Sequence, residues 1–271
     1  MLIDVHSHLD RYGESLEAAL AQVRRERILT VSNSMDLPSY SQNVEIGRRC
    51  AFVLPCFGVH PWNAPIYVDR LADLDGALEE TPIVGEIGLD HHFVRDVSHY
   101  PAQRTVFEYC LSAARDHEKI VVLHTKGAEE EILELLDQYR IERAVVHWYS
   151  GPQNILKKLI SRGTYFTIGI EVIYSEDIRF LARRLPSDQL LTETDNPGGP
   201  KSFTGTPGMP VLLKDVITTL AHVRKLTVGD LIQMVEANFV QLIENDPRLS
   251  AVLSMISLGE QRPPWRNPSF T

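Results

Sequence analysis

The stretch LIDVHSHLD, residues 2–10, begins with an apolar run and carries two histidines at its end. Successive side chains of a β-strand alternate between its faces, so His6 and His8 project in the same direction. Neutral imidazole is a common protein ligand of zinc-like ions. The spacing therefore predicts that both histidines bind one metal ion at the carboxyl end of a first strand.

The same pattern, an apolar run followed by a possible metal ligand, occurs four more times along the chain. The ligands are Glu86 in IVGEIGLD, His124 in IVVLHT, His147 in AVVHWYS and Asp195 in LLTETD. A carboxylate inside an apolar strand, such as Glu86, is costly to bury unless it is paired or bound to a metal. Because the strands of a parallel barrel end at one common face, this recurrence predicts a metal site at the top of such a barrel.

Between these motifs the chain alternates apolar runs with amphipathic stretches of helical period. The runs that predict strands cover residues 2–6, 28–32, 52–59, 83–87, 120–124, 144–147, 165–168 and 190–194. The predicted helices cover residues 15–25, 40–49, 68–78, 101–117, 128–139, 152–162, 176–185 and 210–222. Eight strand–helix units indicate an α/β fold, a TIM (β/α)8 barrel. No glycine-rich phosphate fingerprint follows the first run, which argues against an open doubly wound sheet.

A further helix is predicted after the eighth unit. Thr227 is a suitable N-cap for residues 228–244, in which apolar side chains recur on one stripe. The barrel and this additional C-terminal helix are expected to form one domain, residues 1–245. Residues 246–271 are expected to form an extended or flexible tail, because Pro, Arg and Asn are frequent toward its end. Trp265 and Phe270 are candidate anchors for a protein partner.

Composition and charge restrict the class of protein. The chain has 271 residues and a net charge of −9, so its global field does not attract nucleic acid or acidic membranes. Its three cysteines are not closely paired, which argues against a disulfide framework or a zinc ribbon. No signal pattern opens the chain and no apolar run could span a bilayer, so a cytoplasmic protein without membrane contact is expected. Neither a Walker loop nor a GxSxG motif is present.

Three positions near the predicted ligands suggest the chemistry. Glu193 precedes Asp195 by two residues, so the two carboxylates project from the same face. An Asp at the end of the last strand is suited to accept a proton from metal-bound water. His60, in GVHP, ends the third predicted strand and would hold a phosphate or protonate a leaving group. The alternative for His60 is a histidine that is fixed in a loop turn. Catalytic roles are thus predicted for Asp195, Glu193 and His60.

With these residues in place, the chain resembles the TatD family of metal-dependent deoxyribonucleases, in the amidohydrolase-like barrel superfamily. The resemblance covers residues 2–243. It is carried by DVHSHLD at 4–10, GVHPW at 58–62, VGEIGLD at 84–90, Gln103 with Phe107, VLHTKGA at 122–128, VVHWYSG at 145–151 and LTETDNP at 191–197. The resemblance implies a TIM barrel that hydrolyses DNA phosphodiesters, often as a 3′ exonuclease, with a metal-activated water as nucleophile. It also implies one to three divalent ions per chain, which are Zn, Mg or Mn.

The resemblance further implies how the ligands divide between the ions. One metal would be bound by His6, His8, Glu86 and Asp195. A second would be bound by Glu86, His124 and His147, with Glu86 as the bridge. His60 and Glu193 match family positions close to the reacting phosphate. The segments after His147 and after Asp195 depart from the family pattern, and both are expected at the barrel mouth, where the substrate binds. The HWYSG variant resembles branches associated with bacterial anti-phage defence.

An acidic chain must hold DNA through its metals and a few local donors. The candidates are Lys126, Lys201 and the backbone N–H groups of Ser150 and Gly151 at the start of a predicted helix, where a phosphate would bind. The expected substrate is DNA that is single-stranded or has free ends. Trp62, Trp148 and Tyr149 would either stack on bases or pack the loops together.

Two alternatives remain at this stage. The same ligands would serve an amidohydrolase or lactonase that acts on a small molecule, because fold and metals do not fix the substrate. A barrel without catalysis would serve as a subunit of a multi-protein assembly, although the complete ligand set disfavours that as the sole role.

Overall fold

The computed structural model describes residues 1–258, in which strands and helices alternate. The strands are β1 Leu2–Ser7, β2 Ile28–Asn33, β3 Val53–Cys56, β4 Ile83–Asp90, β5 Ile120–Lys126, β6 Ala144–Val146, β7 Tyr165–Ile168 and β8 Leu190–Thr192. The helices of the first half are α1 Leu16–Glu26, α2 Leu37–Arg49, α3 Ala64–Tyr67, α4 Asp75–Glu80, α5 Tyr100–Asp116 and α6 Glu129–Gln138. The later helices are α7 Gln153–Ser161, α8 Glu171–Tyr174, α9 Glu176–Arg184, α10 Gly198–Thr204, α11 Leu213–Arg224, α12 Val228–Ile243 and α13 Ser250–Leu258.

The described strands form two sheets, ordered β1-β2-β3 and β4-β5-β6-β7-β8. The pairings β1–β2, β4–β5, β5–β6 and β6–β7 are parallel. Every residue of β2, β4 and β5 is buried. Strands that are covered on both faces tend to be apolar along much of their length. The apolar starts of β4 and β5 fit this rule, whereas β2 also buries the polar side chains of Thr30, Ser32 and Asn33.

The described chain divides into two compact units. The first comprises Met1–Ser32, Gln42–Pro55 and the chain from Thr167 onward. Within it, α12 packs on β1 and β8, and α11 packs on α9 and α12. The second unit comprises Asn33–Ser41 and Cys56–Phe166. There, α5 packs against β4, and β4 is paired with β5 over most of its length.

The C-terminal part differs from the expectation in one respect. The predicted N-cap of α12 is confirmed, because Thr227 Oγ1 accepts the Asp230 N–H at 3.1 Å. The expectation of an extended or flexible tail from residue 246 is wrong for residues 250–258, which form α13. Val252 and Met255 recur at helical spacing and are both buried, which stabilises this helix. The proposed anchors Trp265 and Phe270 lie outside the described residues. Within residues 1–258, no helix combines the length and apolarity needed to cross a membrane.

Candidate metal centre

In the second unit, four predicted site residues form a buried group that we call the imidazole cluster: Glu86, His60, His124 and His147. Glu86 Oε1 lies 2.9 Å from His124 Nδ1, 2.9 Å from His147 Nε2 and 3.5 Å from His60 Nε2. The side chain of Glu86 is only 3% exposed. The sequence prediction that Glu86, His124 and His147 lie close together therefore agrees with the geometry of this unit.

The donor chemistry of the imidazole cluster fits a divalent cation. His124 Nδ1 lies 3.3 Å from His60 Nε2 and 3.5 Å from His147 Nε2. Ring nitrogens this close direct lone pairs at one another unless a proton or a cation lies between them. His60, Glu86 and His124 each place one possible ligand atom within 4.8 Å of the others. Imidazole nitrogen with carboxylate oxygen is the donor set that zinc, manganese and similar ions accept.

Asp90 fixes the ring of His124 from its far side. Asp90 Oδ2 lies 3.0 Å from His124 Nε2 and accepts the Trp62 indole N–H at 2.7 Å. The Gln103 amide holds the backbone of Asp90, accepting its N–H at 2.9 Å and donating to its carbonyl at 3.2 Å. A carboxylate that orients a ligand imidazole in this way is typical of metal sites. Asp90 was not among the predicted site residues, although its spacing of four from Glu86 along one strand places both on one face.

These contacts also set the charge of Asp90 and His124. Burial alone would raise the pKa of Asp90, but hydrogen bonds from His124, the Phe93 N–H and Trp62 hold that pKa below its ordinary value. Burial alone would lower the pKa of His124, but hydrogen bonds to Asp90 and Glu86 raise that pKa above its ordinary value. Asp90 therefore keeps its negative charge, which favours a positive charge on or beside the His124 ring.

His60 is oriented by the turn that follows it. Its Nδ1 accepts the Trp62 N–H at 3.2 Å, so the imidazole caps the 3-10 turn Pro61–Asn63. With Nδ1 as acceptor, the proton of the neutral ring lies on Nε2. That Nε2 faces Glu86 and His124. His60 is thus fixed in a turn through its Nδ1, as the alternative interpretation proposed. Its Nε2 is directed into the imidazole cluster.

In the first unit, His6, His8 and Asp195 form a second group, the N-terminal cluster. The two Nε2 atoms of His6 and His8 lie 3.2 Å apart. Asp195 Oδ1 is 3.4 Å from His8 Nε2 and 3.7 Å from His6 Nε2. The two histidines are buried, whereas the Asp195 side chain is 18% exposed. The predicted pairing of His6 and His8 on one face, with Asp195 beside them, agrees with this geometry.

The backbone positions Asp195 in an uncommon conformation. Its φ is +49°, a region that Asp tolerates better than most residues. Its N–H donates to the carbonyl of His6 at 2.8 Å, and its carbonyl accepts the Gly199 N–H at 2.7 Å. A Cβ at Gly199 would lie 2.5 Å from Asp195 Oδ2, so only glycine lets α10 approach the carboxylate this closely.

Two more carboxyl groups lie beneath the N-terminal cluster. Asp4 accepts the Thr194 N–H at 3.0 Å and the Thr194 hydroxyl at 2.7 Å. Burial raises the pKa of Asp4 to about 8, and the neighbouring charge of Glu193 adds to that rise. Glu193 is fully buried, and its Cγ packs on Gly169, where a Cβ would lie 3.0 Å away. Glu193 therefore lies in a densely packed, acidic environment.

The residues that were predicted to contact the substrate differ in their exposure to solvent. Lys126 is buried, and its ammonium donates to the Trp148 carbonyl and, at 3.1 Å, to Ser150 Oγ. Ser150 and Lys201 are exposed. Gly151 packs on Glu129, whose Cγ would be 2.6 Å from a Cβ at this position. A carboxylate this close opposes an anion, so the geometry favours Gly151 as a packing position over a phosphate contact.

The three aromatic residues that were predicted either to stack on bases or to pack the loops differ in their burial. Tyr149 is buried, its hydroxyl donates to the Pro152 carbonyl at 2.7 Å, and its ring packs edge-on against Phe166. Tyr149 is therefore a packing residue. Trp148 is half-buried, with the Lys126 ammonium 5.6 Å from its ring centre. The Trp62 ring is 48% exposed and keeps an accessible face.

Comparison with known proteins identifies the family of this chain. The family model described as TatD related DNase matches residues 3–244. The chain belongs to the TatD family. Among relatives, it is 29% identical over 259 residues to the Escherichia coli protein named uncharacterized metal-dependent hydrolase YcfH, covering 90% of this chain and 96% of the relative. It is 25% identical over 271 residues to human deoxyribonuclease TATDN3, covering 93% and 97% of the two chains.

The solved structures agree at the level of the fold. The crystal structure of the Escherichia coli TatD homologue YjjV matches with a TM-score of 0.82 at 24% identity, covering 89% of this chain and 97% of that chain. The predicted fold class, an α/β TIM barrel, is confirmed by this likeness. The family assignment makes this TatD protein a metal-dependent hydrolase and confirms the predicted enzyme class.

Proposed function

We propose that this TatD-family protein hydrolyses phosphodiester bonds of DNA, acting on single strands or free ends as an exonuclease. The observation that carries the proposal is the imidazole cluster, a buried carboxylate surrounded by three imidazoles within 3.5 Å. A relative that aligns along almost the whole chain is named a deoxyribonuclease. Together these favour a metal-assisted attack on a phosphate ester.

The residues that would hold metal follow from the donor sets. His6, His8 and Asp195 would hold one ion in the first unit, and Glu86, His124 and His147 would hold one in the second. When bound, such ions lower the pKa of water and offset negative charge on phosphoryl oxygens. Zinc, manganese and magnesium all accept the nitrogen and oxygen donors present.

The protein's own groups would move protons and orient the substrate. His60 presents an N–H at Nε2, which suits it to donate to a phosphate oxygen or to a leaving alkoxide. Asp195 is the more accessible carboxylate, and it would accept a proton from the attacking water. Glu193, which is buried two residues earlier in the chain, would support the charge of that proton acceptor. Asp195 and Glu193 would thus deprotonate the nucleophile, and His60 would protonate the leaving group.

DNA binding would be local. The chain is acidic, with a net charge of −9, so few phosphates are contacted and affinity depends only weakly on salt. Lys201 and Ser150 are the accessible candidates for those contacts. A cytoplasmic location, a role in anti-phage defence and partners of the C-terminal segment remain predictions from the sequence.

The proposal is tested with metal-loaded protein and end-labelled single- and double-stranded DNA, against an EDTA control and a control in which metal is restored. We expect shortening of the labelled strand that EDTA abolishes and added metal restores. Glu86→Gln, which keeps the side-chain volume, is the matched inactive variant. Turnover of a lactone or an amide, with no hydrolysis of any nucleic acid under any metal, would instead identify a small-molecule hydrolase.

A further inference from the structure

Two exposed aromatic residues of the first unit stack on one another. Tyr174 ends α8 and is 54% exposed, while Phe203 lies in α10 and is 38% exposed. Their ring centres are 5.4 Å apart and their planes differ by 10°. Near-parallel, offset rings form one continuous π surface. We call this pair the aromatic platform.

Both helices that carry the platform are attached to the predicted catalytic carboxylates. Gly199 of α10 lies so close to Asp195 that a Cβ would be 2.5 Å from Oδ2, and its N–H donates to the Asp195 carbonyl at 2.7 Å. Phe203 lies four residues further along α10, which is about 6 Å at 1.5 Å per residue. On the other side, Gly169 packs on Glu193 and precedes α8. The platform is therefore carried by the same two segments of chain that pack against Asp195 and Glu193.

Hydrogen bonds hold the backbone at the ends of the two helices that carry the platform. The Arg179 guanidinium donates to the carbonyls of Val172 and Ile173, at 2.8 Å for Val172, so the last turn of α8 is tied down. At the end of α10, Gly205 has φ +75° and donates to the Lys201 carbonyl at 2.9 Å, which caps the helix. A restrained backbone reduces the conformational entropy that the segment loses when a ligand binds.

We propose that the aromatic platform stacks on a nucleobase of the strand whose end is being hydrolysed, and so selects single-stranded DNA. The inference rests on the proposed function, which supplies the DNA. Every base has a π face, so such a contact tolerates any sequence but requires an unpaired base. Lys201 is also exposed and belongs to the same short helix as Phe203, so α10 carries both an aromatic ring and a cation. A stacked base with a neighbouring cation is the usual combination in single-strand binding.

The test compares variants on two substrates. Tyr174→Leu with Phe203→Leu removes the π surface but keeps apolar side chains, whereas Phe203→Trp enlarges it. Phe180, on α9, is also exposed at 39% and lies under Arg184, so Phe180→Leu is the matched control. We expect the Leu pair to lower kcat/KM on single-stranded DNA roughly 5- to 100-fold, mainly through KM. Phe203→Trp should keep the wild-type value, and bis-p-nitrophenyl phosphate turnover should not change in any variant.

A fluorescence readout separates stacking from a structural role. Oligonucleotides with 2-aminopurine near the cleaved end and phosphorothioate linkages, which slow hydrolysis, should be quenched by wild-type protein and by Phe180→Leu, but not by the Leu pair. If the Leu pair unfolds, as judged by its Tm, Phe203→Leu alone is compared with Phe203→Trp. The proposal would be overturned if the Leu pair lost kcat/KM equally on DNA and on bis-p-nitrophenyl phosphate. It would also be overturned if the Leu pair quenched 2-aminopurine as the wild type does.

Failure of the proposed function has a different signature. Wild-type protein would then hydrolyse bis-p-nitrophenyl phosphate or an ester but no DNA. Quenching that depends on Tyr174 and Phe203 would still support base binding by the platform. Absence of quenching in wild-type protein would reject it.

Discussion

Glu86 in the second unit and Asp195 in the first are both carboxylates among imidazoles, yet their settings differ. The Glu86 side chain is 3% exposed and has three imidazole nitrogens within 3.5 Å. The Asp195 side chain is 18% exposed, and its nearest imidazole nitrogens are 3.4 and 3.7 Å away. The first carboxylate is enclosed, and the second can be reached by water or substrate.

The contacts that hold the imidazole cluster are also more extensive than those that hold Asp195. Behind His124 stands a series of bonds through Asp90 to Trp62 and Gln103. Asp195 is held chiefly by its backbone, at a positive φ and against Gly199. Ligands with orienting partners retain metal best, while proton transfer needs an accessible group. We therefore expect metal retention to depend more on the imidazole cluster and proton transfer more on Asp195.

The largest effect is expected from Glu86→Ala. Loss of this carboxylate leaves three buried imidazoles without their anion, so hydrolysis should fall by more than the roughly 10- to 100-fold that a residue supporting a ligand costs. Metal per chain, measured by elemental analysis after dialysis, should fall by more than one equivalent if Glu86 is shared by two ions. Loss of one equivalent would mean that the clusters bind independently. Full activity would reject the metal assignment.

The next effect is expected from Asp195→Asn, which keeps the shape of the side chain but removes its basicity. Hydrolysis should drop roughly 10²- to 10⁴-fold, as for the loss of a positioned proton acceptor. The imidazole cluster should keep its metal, because none of its residues is changed. The measurement is kcat together with metal content on the same sample. A variant that loses all metal yet recovers its rate when metal is added in excess would contradict a proton-transfer role.

Much of this site could be predicted because it depends on local pattern. His6 and His8 share a face through the period of a strand, and Glu86 stands out because β4 is otherwise apolar apart from Asp90. The strand ends were less certain: β4 and β5 continue to Asp90 and Lys126, beyond the predicted residues 87 and 124. The hydrophobic pattern alone does not predict that a strand continues to a polar residue at its end.

What could not be predicted depends on contacts between distant segments. The partner of Asp90 could not be read from the sequence, because His124 lies 3.0 Å away across 34 positions of sequence. Lys126 was expected to bind substrate, but its ammonium is directed to Trp148 and Ser150. The stacking of Tyr174 on Phe203 joins residues 29 positions apart. None of these pairings has a periodic signature in the chain.

A smaller effect is expected from Asp90→Asn, which removes the charge behind His124. Metal affinity and hydrolysis should each fall roughly 10- to 100-fold, the usual cost of losing a carboxylate that orients a ligand imidazole. Trp62→Phe, which deletes only the indole donor to Asp90, is the matched partial variant and should lie between wild type and Asp90→Asn. Titration with metal under a competing chelator measures the affinity. If Asp90→Asn binds metal as tightly as the wild type does, the contact between Asp90 and His124 does not contribute to the metal affinity of the imidazole cluster.

The smallest effect is expected from Lys201→Ala, and it contrasts with Lys126→Ala. Lys201 is exposed, so its loss should weaken turnover of single-stranded DNA by only a few-fold and leave bis-p-nitrophenyl phosphate unchanged. If it contacts one phosphate, the slope of log affinity against log salt should decrease by roughly 0.7. Buried Lys126 holds the segment after His147 through Trp148 and Ser150, so Lys126→Ala should impair both substrates and lower Tm. Equal behaviour of the two lysine variants on both substrates would remove the distinction between an accessible contact and a buried support.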